Sequence, residues 1–214
     1  MAEPSTRDSD LFLSVDNQIK YWKERSDIER WPFSFLEFEL ARTRGRRLNR
    51  WGTRLCVPIV VPYFETMRKT FDILWSSVGL GFRERWYHRG MSLDTCLRVG
   101  KKSERSGRRL AVELIDFGAN QGAMPMGVRE KGRSPHAGVL AGAAVGSAWL
   151  RSMNGTSVPF VWIPGYEMPL GSSDYWTGVP SLRYWPARDL VELDIGRGTT
   201  RNPQWAVPEI REDT

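Results

Sequence analysis

The sequence is poor in the two side chains that most often announce an active site: its 214 residues include two histidines and two cysteines. Cys56 and Cys96 form no CxxC pair. Neither a disulfide framework nor a thiolate zinc site is therefore expected, and a reducing compartment suits them best. His88 and His136 stand in no HxH, HxxxH or HExxH pattern, which removes the common histidine metal sites. A GxSxG elbow, a Walker loop and a strand-borne GxGxxG are also missing. The longest apolar run, Ala137 to Leu150, falls short of the ~20 residues that span a bilayer. The opening "MAEPSTRDSDLF" has no basic segment leading into an apolar one, so no secretory signal is expected. The expected location is the cytoplasm, or a particle assembled there. No cofactor and no metal are expected. A Ser/His/Asp or Cys/His set brought together only by folding stays open.

Charge is plentiful but unevenly placed. The net charge is +6. Residues 1–41 carry −4, residues 42–133 carry +12 and residues 134–214 carry −2. Acidic ends thus flank a basic middle, as expected of a chain with a polyanionic partner. Arginine supplies 25 of the 31 basic residues. Its planar fork grips phosphate bidentately and stacks on bases, whereas lysine is a point charge. The stretch "ARTRGRRLNRWGTR" holds Arg42, Arg44, Arg46, Arg47, Arg50 and Arg54. "RVGKKSERSGRR" adds Lys101, Lys102, Arg105, Arg108 and Arg109, and residues 129–133 form a third cluster. In "FRERWYHRG", Arg83, Arg85 and Arg89 interleave with Trp86, Tyr87 and His88. Rings that stack bases beside cations that hold phosphates are how single strands are bound without sequence preference. The competing reading is a buried Trp86 with arginines snorkelling around it.

Periodicity predicts an α+β fold in one domain, 1–214, with 1–33 a helical N-terminal extension and 196–214 a C-terminal tail. Leu11, Val15, Ile19 and Trp22 recur at helical spacing over 9–30, with Ser9 or Asp10 as cap. Ser34-Phe35-Leu36-Glu37 has the form of a capping box. It favours a second helix running into the arginines, against the strand-like alternation of Leu36, Phe38 and Leu40 and the interruption at Gly45. Pro58 and Pro62 make 55–64 an edge strand or an extended connector. Phe64, Met67, Phe71, Leu74, Trp75, Val78 and Phe82 lie on one helical stripe over 64–82. "LAVELIDF" reads as a strand, 118–135 as a long loop, and "VPFVWI" and "DLVELDI" as short strands. Gly138, Gly142 and Gly146 fall four apart in an apolar helix, a spacing that lets helices approach closely and assigns these residues to subunit packing.

Candidates for catalysis are His88 as an acid–base group, and Glu192 with Asp194. The latter are two apart on a strand and therefore share a face, as metal-dependent phosphodiester cleavage would need. Glu113 and Asp116 should face opposite ways, and His136 reads as structural. The expected function is a non-enzymatic, nucleic-acid-binding structural subunit of a larger assembly, of coat, nucleoprotein or ribonucleoprotein type. In this reading the basic middle meets phosphates, RNA favoured over DNA, and the acidic ends meet neighbouring subunits of a homo-oligomer or larger complex. The alternatives are a metal-dependent nuclease, or a subunit of a membrane-associated complex packing through 138–146.

Overall fold

The computed structural model describes residues 11–48, 55–78, 80–87, 98–99, 107–135, 137–167 and 178–211, with backbone only at 87, 98 and 99. The fold is α+β. Helices α1 (Val15–Glu29) and α2 (Phe35–Leu48) precede strand β1 (Cys56–Tyr63) and helix α3 (Met67–Val78). Strands β2 (Glu84–Tyr87), β3 (Arg98–Val99) and β4 (Arg109–Asp116) follow, then helices α4 (Pro125–Arg129), α5 (Ala137–Val145) and α6 (Ser147–Arg151). The remainder is β5 (Phe160–Trp162), β6 (Tyr166–Glu167), β7 (Gly178–Trp185), β8 (Leu190–Arg197), β9 (Trp205–Ala206) and β10 (Glu209–Arg211). The strands form sheets ordered β1–β4–β10 and β2–β8–β7–β5–β9, with β3 paired to β6.

Helix α1 starts later than its apolar spacing predicts. Ser14 is the N-cap, its hydroxyl accepting from the Asn17 N–H at 3.3 Å, in place of Ser9 or Asp10, which lie outside the described residues. Leu11 and Phe12 are apolar for a different reason. Their segment runs against the second half of the chain: the Leu13 N–H donates to the Val145 carbonyl and the Trp149 N–H to that of Leu11, at 3.1 and 3.0 Å.

The prolines of β1 sit on an outer strand, as their missing N–H groups require. An open strand edge is a template for unwanted pairing, and here α1 covers it with side chains. Gln18 Nε2 donates to the Pro58 carbonyl at 3.0 Å, the Val60 N–H donates to Gln18 Oε1 at 2.8 Å, and Trp22 Nε1 donates to the Val60 carbonyl at 2.9 Å. Helix α1 thus completes the sheet edge and buries Trp22 in the core. Gln18→Leu leaves the Pro58 carbonyl and the Val60 N–H without partners, at ~1–3 kcal/mol each. Urea denaturation should show a loss on the order of 2–4 kcal/mol; a loss under about 1 kcal/mol would mean that water takes over both groups.

Helix α2 forms because its capping box closes: the Ser34 N–H donates to Glu37 Oε2 at 2.6 Å and the Glu37 N–H to Ser34 Oγ at 3.3 Å. It continues through Gly45 because α1 crosses there. A Cβ at Gly45 would lie 2.4 Å from Val15 Cγ1, so the ~1 kcal/mol helix penalty of glycine is offset by close packing. In α3, capped by Thr66, the predicted stripe of Phe71, Leu74 and Val78 is buried.

The glycine helix requires a correction. A Cβ at Gly138 would lie 2.4 Å from Ile115 Cδ1, at Gly142 2.4 Å from Phe117 Cζ, and at Gly146 2.6 Å from Phe12 Cδ1. The close approach assigned to subunit packing is made within the chain, to β4, to Phe117 just beyond it and to the 11–13 segment. The helix also breaks at Gly146, which caps the separate α6. Two further expectations change. The 118–135 loop contains α4, tied to β6 by a nearly buried Arg129–Glu167 ion pair at 2.9 Å. The described part of the 196–214 segment enters both larger sheets, through β9 and β10.

Candidate nucleic-acid interface

Strands β7 and β8 form a hairpin closed by a single 3-10 turn, Pro186–Arg188, and by Asp189 in the left-handed region at φ 46°, which aspartate tolerates better than most residues. The register places Arg183 opposite Glu192 and Trp185 opposite Leu190. On the other side of β8, parallel β2 places Trp86 opposite Glu192 and Glu84 opposite Leu190. Side chains alternate with period two, so Trp86, Glu192 and Arg183 make one row across the sheet face. Glu84, Leu190 and Trp185 make the next row on that face. Apart from Glu84, these residues join Arg188 and Ala187 around a pocket of about 390 Å³, lined by Trp86, Trp185, Arg183 and Glu192 over Leu190. Trp86 is 39% and Trp185 44% exposed.

Glu192 is the buried charge of the pocket. It accepts from Arg183 Nε at 2.6 Å, from the Arg183 NH2 group at 2.8 Å and from Trp185 Nε1. Burial pushes its carboxyl up, but the hydrogen bonds from Arg183 and Trp185 outweigh it and hold the group below its ordinary value. The hydrogen bond to Glu192 in turn raises the Arg183 guanidinium. That guanidinium also lies 4.6 Å from the centre of the Trp185 ring. Arg188 pairs with Glu84, its side chain 63% exposed. Asp189 anchors the turn, accepting from the Tyr184 hydroxyl at 2.9 Å, the Arg83 N–H at 3.1 Å and Arg151 Nε at 3.3 Å. The Tyr184 hydroxyl is the main reason its carboxyl is lowered.

Glu192 and Asp194 do share a face, and both approach Arg183, Asp194 at 3.7 Å. A guanidinium thus occupies the position between the carboxylates that a metal would need. Glu113 is buried and accepts from the Tyr63 hydroxyl at 2.6 Å, while Asp116 pairs with Arg211 at 2.8 Å, on the opposite face of β4. Among the described residues no group of three or more His, Cys, Asp or Glu side chains is placed to hold a metal ion. No helix among them is long and apolar enough to cross a membrane.

The arginines divide. Arg42 and Arg46, one turn apart on α2, both meet Asp16 of α1 at 3.1 Å, and Arg42 also meets Glu39 at 3.2 Å. The acidic surface facing this part of the cluster belongs to the same chain. Arg85 caps α3, donating to the Ser76 carbonyl at 3.0 Å, and Arg109 lies 5.3 Å from the Tyr63 ring. Arg44, Arg47, Arg83 and Arg108 are exposed. Arg50, Arg54, His88, Arg89, Lys101, Lys102, Arg105 and His136 lie outside the described residues, as does the side chain of Tyr87.

Sequence reading named Trp86 but missed Trp185, Arg183 and Arg188. The signal was present in "SLRYWPARDLVELDI". Arg183 and Trp185 are two apart, and so are Leu190, Glu192 and Asp194, around a Pro-Ala-Arg-Asp turn that reads as a hairpin. No family model matches the chain, and no curated protein or solved structure is similar to it.

Proposed function

We propose that this protein binds single-stranded nucleic acid, RNA in the first instance, as a non-catalytic component of a larger assembly. One observation carries the reading: two half-exposed tryptophans share a pocket with two arginines on one sheet face. Tryptophan stacks any base, and arginine holds the phosphates between bases. Arg44 and Arg47, exposed at the end of α2, add phosphate contacts away from the pocket. Ile28, Phe35, Leu36 and Leu40 are each more than 60% exposed and supply an apolar contact for neighbouring subunits.

The test is a titration of mixed-sequence single-stranded RNA at several salt concentrations. Affinity should fall steeply with salt, by ~0.7 in log–log slope for each phosphate contacted. The Arg44→Ala, Arg47→Ala double variant should flatten the slope by about 1.4. Trp185→Leu should weaken binding roughly 5- to 150-fold, the loss of ~1–3 kcal/mol of stacking. Binding that ignores both salt and Trp185 would overturn the proposal.

A further inference from the structure

We infer that the pocket between Trp86 and Trp185 receives one nucleotide of the bound strand and selects one whose base carries an exocyclic amino group. The inference rests on the nucleic-acid reading above and adds to it a stoichiometry and a base preference. Size sets the first. At about 390 Å³ the pocket lies near the lower end of the ~300–1,000 Å³ typical of small-ligand sites, room for one nucleotide and not a run of them. The strands that carry the two tryptophans are separated only by β8, with the two residues one row apart along it, and both line this one pocket.

Glu192 sets the second. An ionised carboxylate offers about four lone-pair sites. Two are taken by Arg183 and one by Trp185 Nε1. One remains on a side chain that lines the pocket. It accepts a hydrogen bond and donates none, so it favours an amino group at the base edge, as carboxylates do with the N4 amino group of cytosine. Uracil presents carbonyl oxygens at the corresponding edges, and its N3–H is flanked by two of them, which the carboxylate repels. The phosphate of the same nucleotide goes to Arg188, whose five N–H donors are not exhausted by Glu84.

Cytidine and uridine monophosphates differ at the one edge in question and serve as probes, with inorganic phosphate as the control. Calorimetric titration of the full chain should show one site, with cytidine monophosphate bound about tenfold or more tighter than uridine monophosphate, the value of one hydrogen bond to a charged group. Phosphate alone should bind far more weakly than either. Glu192→Gln, checked for folding by circular dichroism, should bring the two nucleotides within about threefold of each other, because an amide presents both a donor and an acceptor. Trp185→Leu should weaken both nucleotides while keeping their ratio. Equal affinity for the two nucleotides in the unaltered protein would overturn the base preference. Equal binding of phosphate and nucleotide would reduce the pocket to an anion site and overturn the whole inference. Binding of RNA without binding of either mononucleotide would also overturn it while leaving the proposed function standing; loss of both would end both.

Discussion

Arg183→Met should destabilise the protein by about 3–5 kcal/mol, because it removes one partner of a buried ion pair and leaves the other charged. The Glu192 side chain is 10% exposed and that of Arg183 29%. Water can reach the remaining carboxylate from one side, so the lower part of that range is expected. The pH dependence identifies the cause. In the unaltered protein the Glu192 and Asp189 carboxyls are both held low. Their contribution is complete above the ordinary carboxylate range of ~4 and is lost as pH falls through the lower folded values. In Arg183→Met the hydrogen bond from Trp185 remains but the larger contribution of Arg183 is lost, so burial dominates at Glu192 and its folded value moves up. The penalty is then full at neutral pH and shrinks as acid neutralises the group. Thermal melts from pH 7 to about 4 should therefore show variant and parent converging. Adding Glu192→Leu should restore most of the stability, since an apolar pair of similar volume often replaces a buried ion pair without loss. A penalty that neither pH nor the second substitution relieves would mean that Arg183 matters only through its packing on Trp185.

Gly142→Leu is the second large effect, and it separates two roles for the glycine helix. The new Cβ meets Phe117 Cζ at 2.4 Å. Phe117 cannot turn aside: it is fully buried, with its ring 5.0 Å from Phe12 and 4.4 Å from Trp149. Leucine regains ~1 kcal/mol of helix propensity, but overpacking at such a site costs ~1–3 kcal/mol or more. A long side chain driven into three clamped rings belongs at the top of that range. Chemical denaturation should show a net loss on the order of 2–3 kcal/mol at unchanged oligomeric state. A change of oligomeric state with the melting curve intact would return these glycines to a subunit interface.

Much of the fold was legible where the causes are local. The Ser34–Glu37 box, the α3 stripe and the proline-marked edge of β1 each depend on residues within a few positions of one another. Legibility failed where distant parts of the chain decide. Leu11 is apolar because it lies against α6, yet it falls in phase with Val15 and Ile19 and so mimics another helical turn. Gly142 serves Phe117, outside its own helix, though its spacing resembles a helix–helix contact. Helix α4 has five residues, too few to show a period. The candidate site was half legible for the same reason. Trp86 announced itself through neighbouring arginines, while Trp185 joins it only through the parallel pairing of β2 with β8. The arginine cluster gave the composition of a phosphate-binding surface but not its division. Asp16, which holds Arg42 and Arg46, comes from the preceding helix.

The way α1 covers β1 also has an order in time. The chain emerges from the ribosome with α1 first, so Gln18 and Trp22 are present before the strand edge they cover. The other edge has no such advance protection. Strand β4 receives β10 only when the last described residues have been made, and Leu11 and Leu13 must likewise await Val145 and Trp149. Folding dominated by such distant pairings is slow, and the nascent chain must keep β4 half-paired until residues 209–211 have been made. In a cell making this protein rapidly, β4 is the strand on which premature association between unfinished chains should begin.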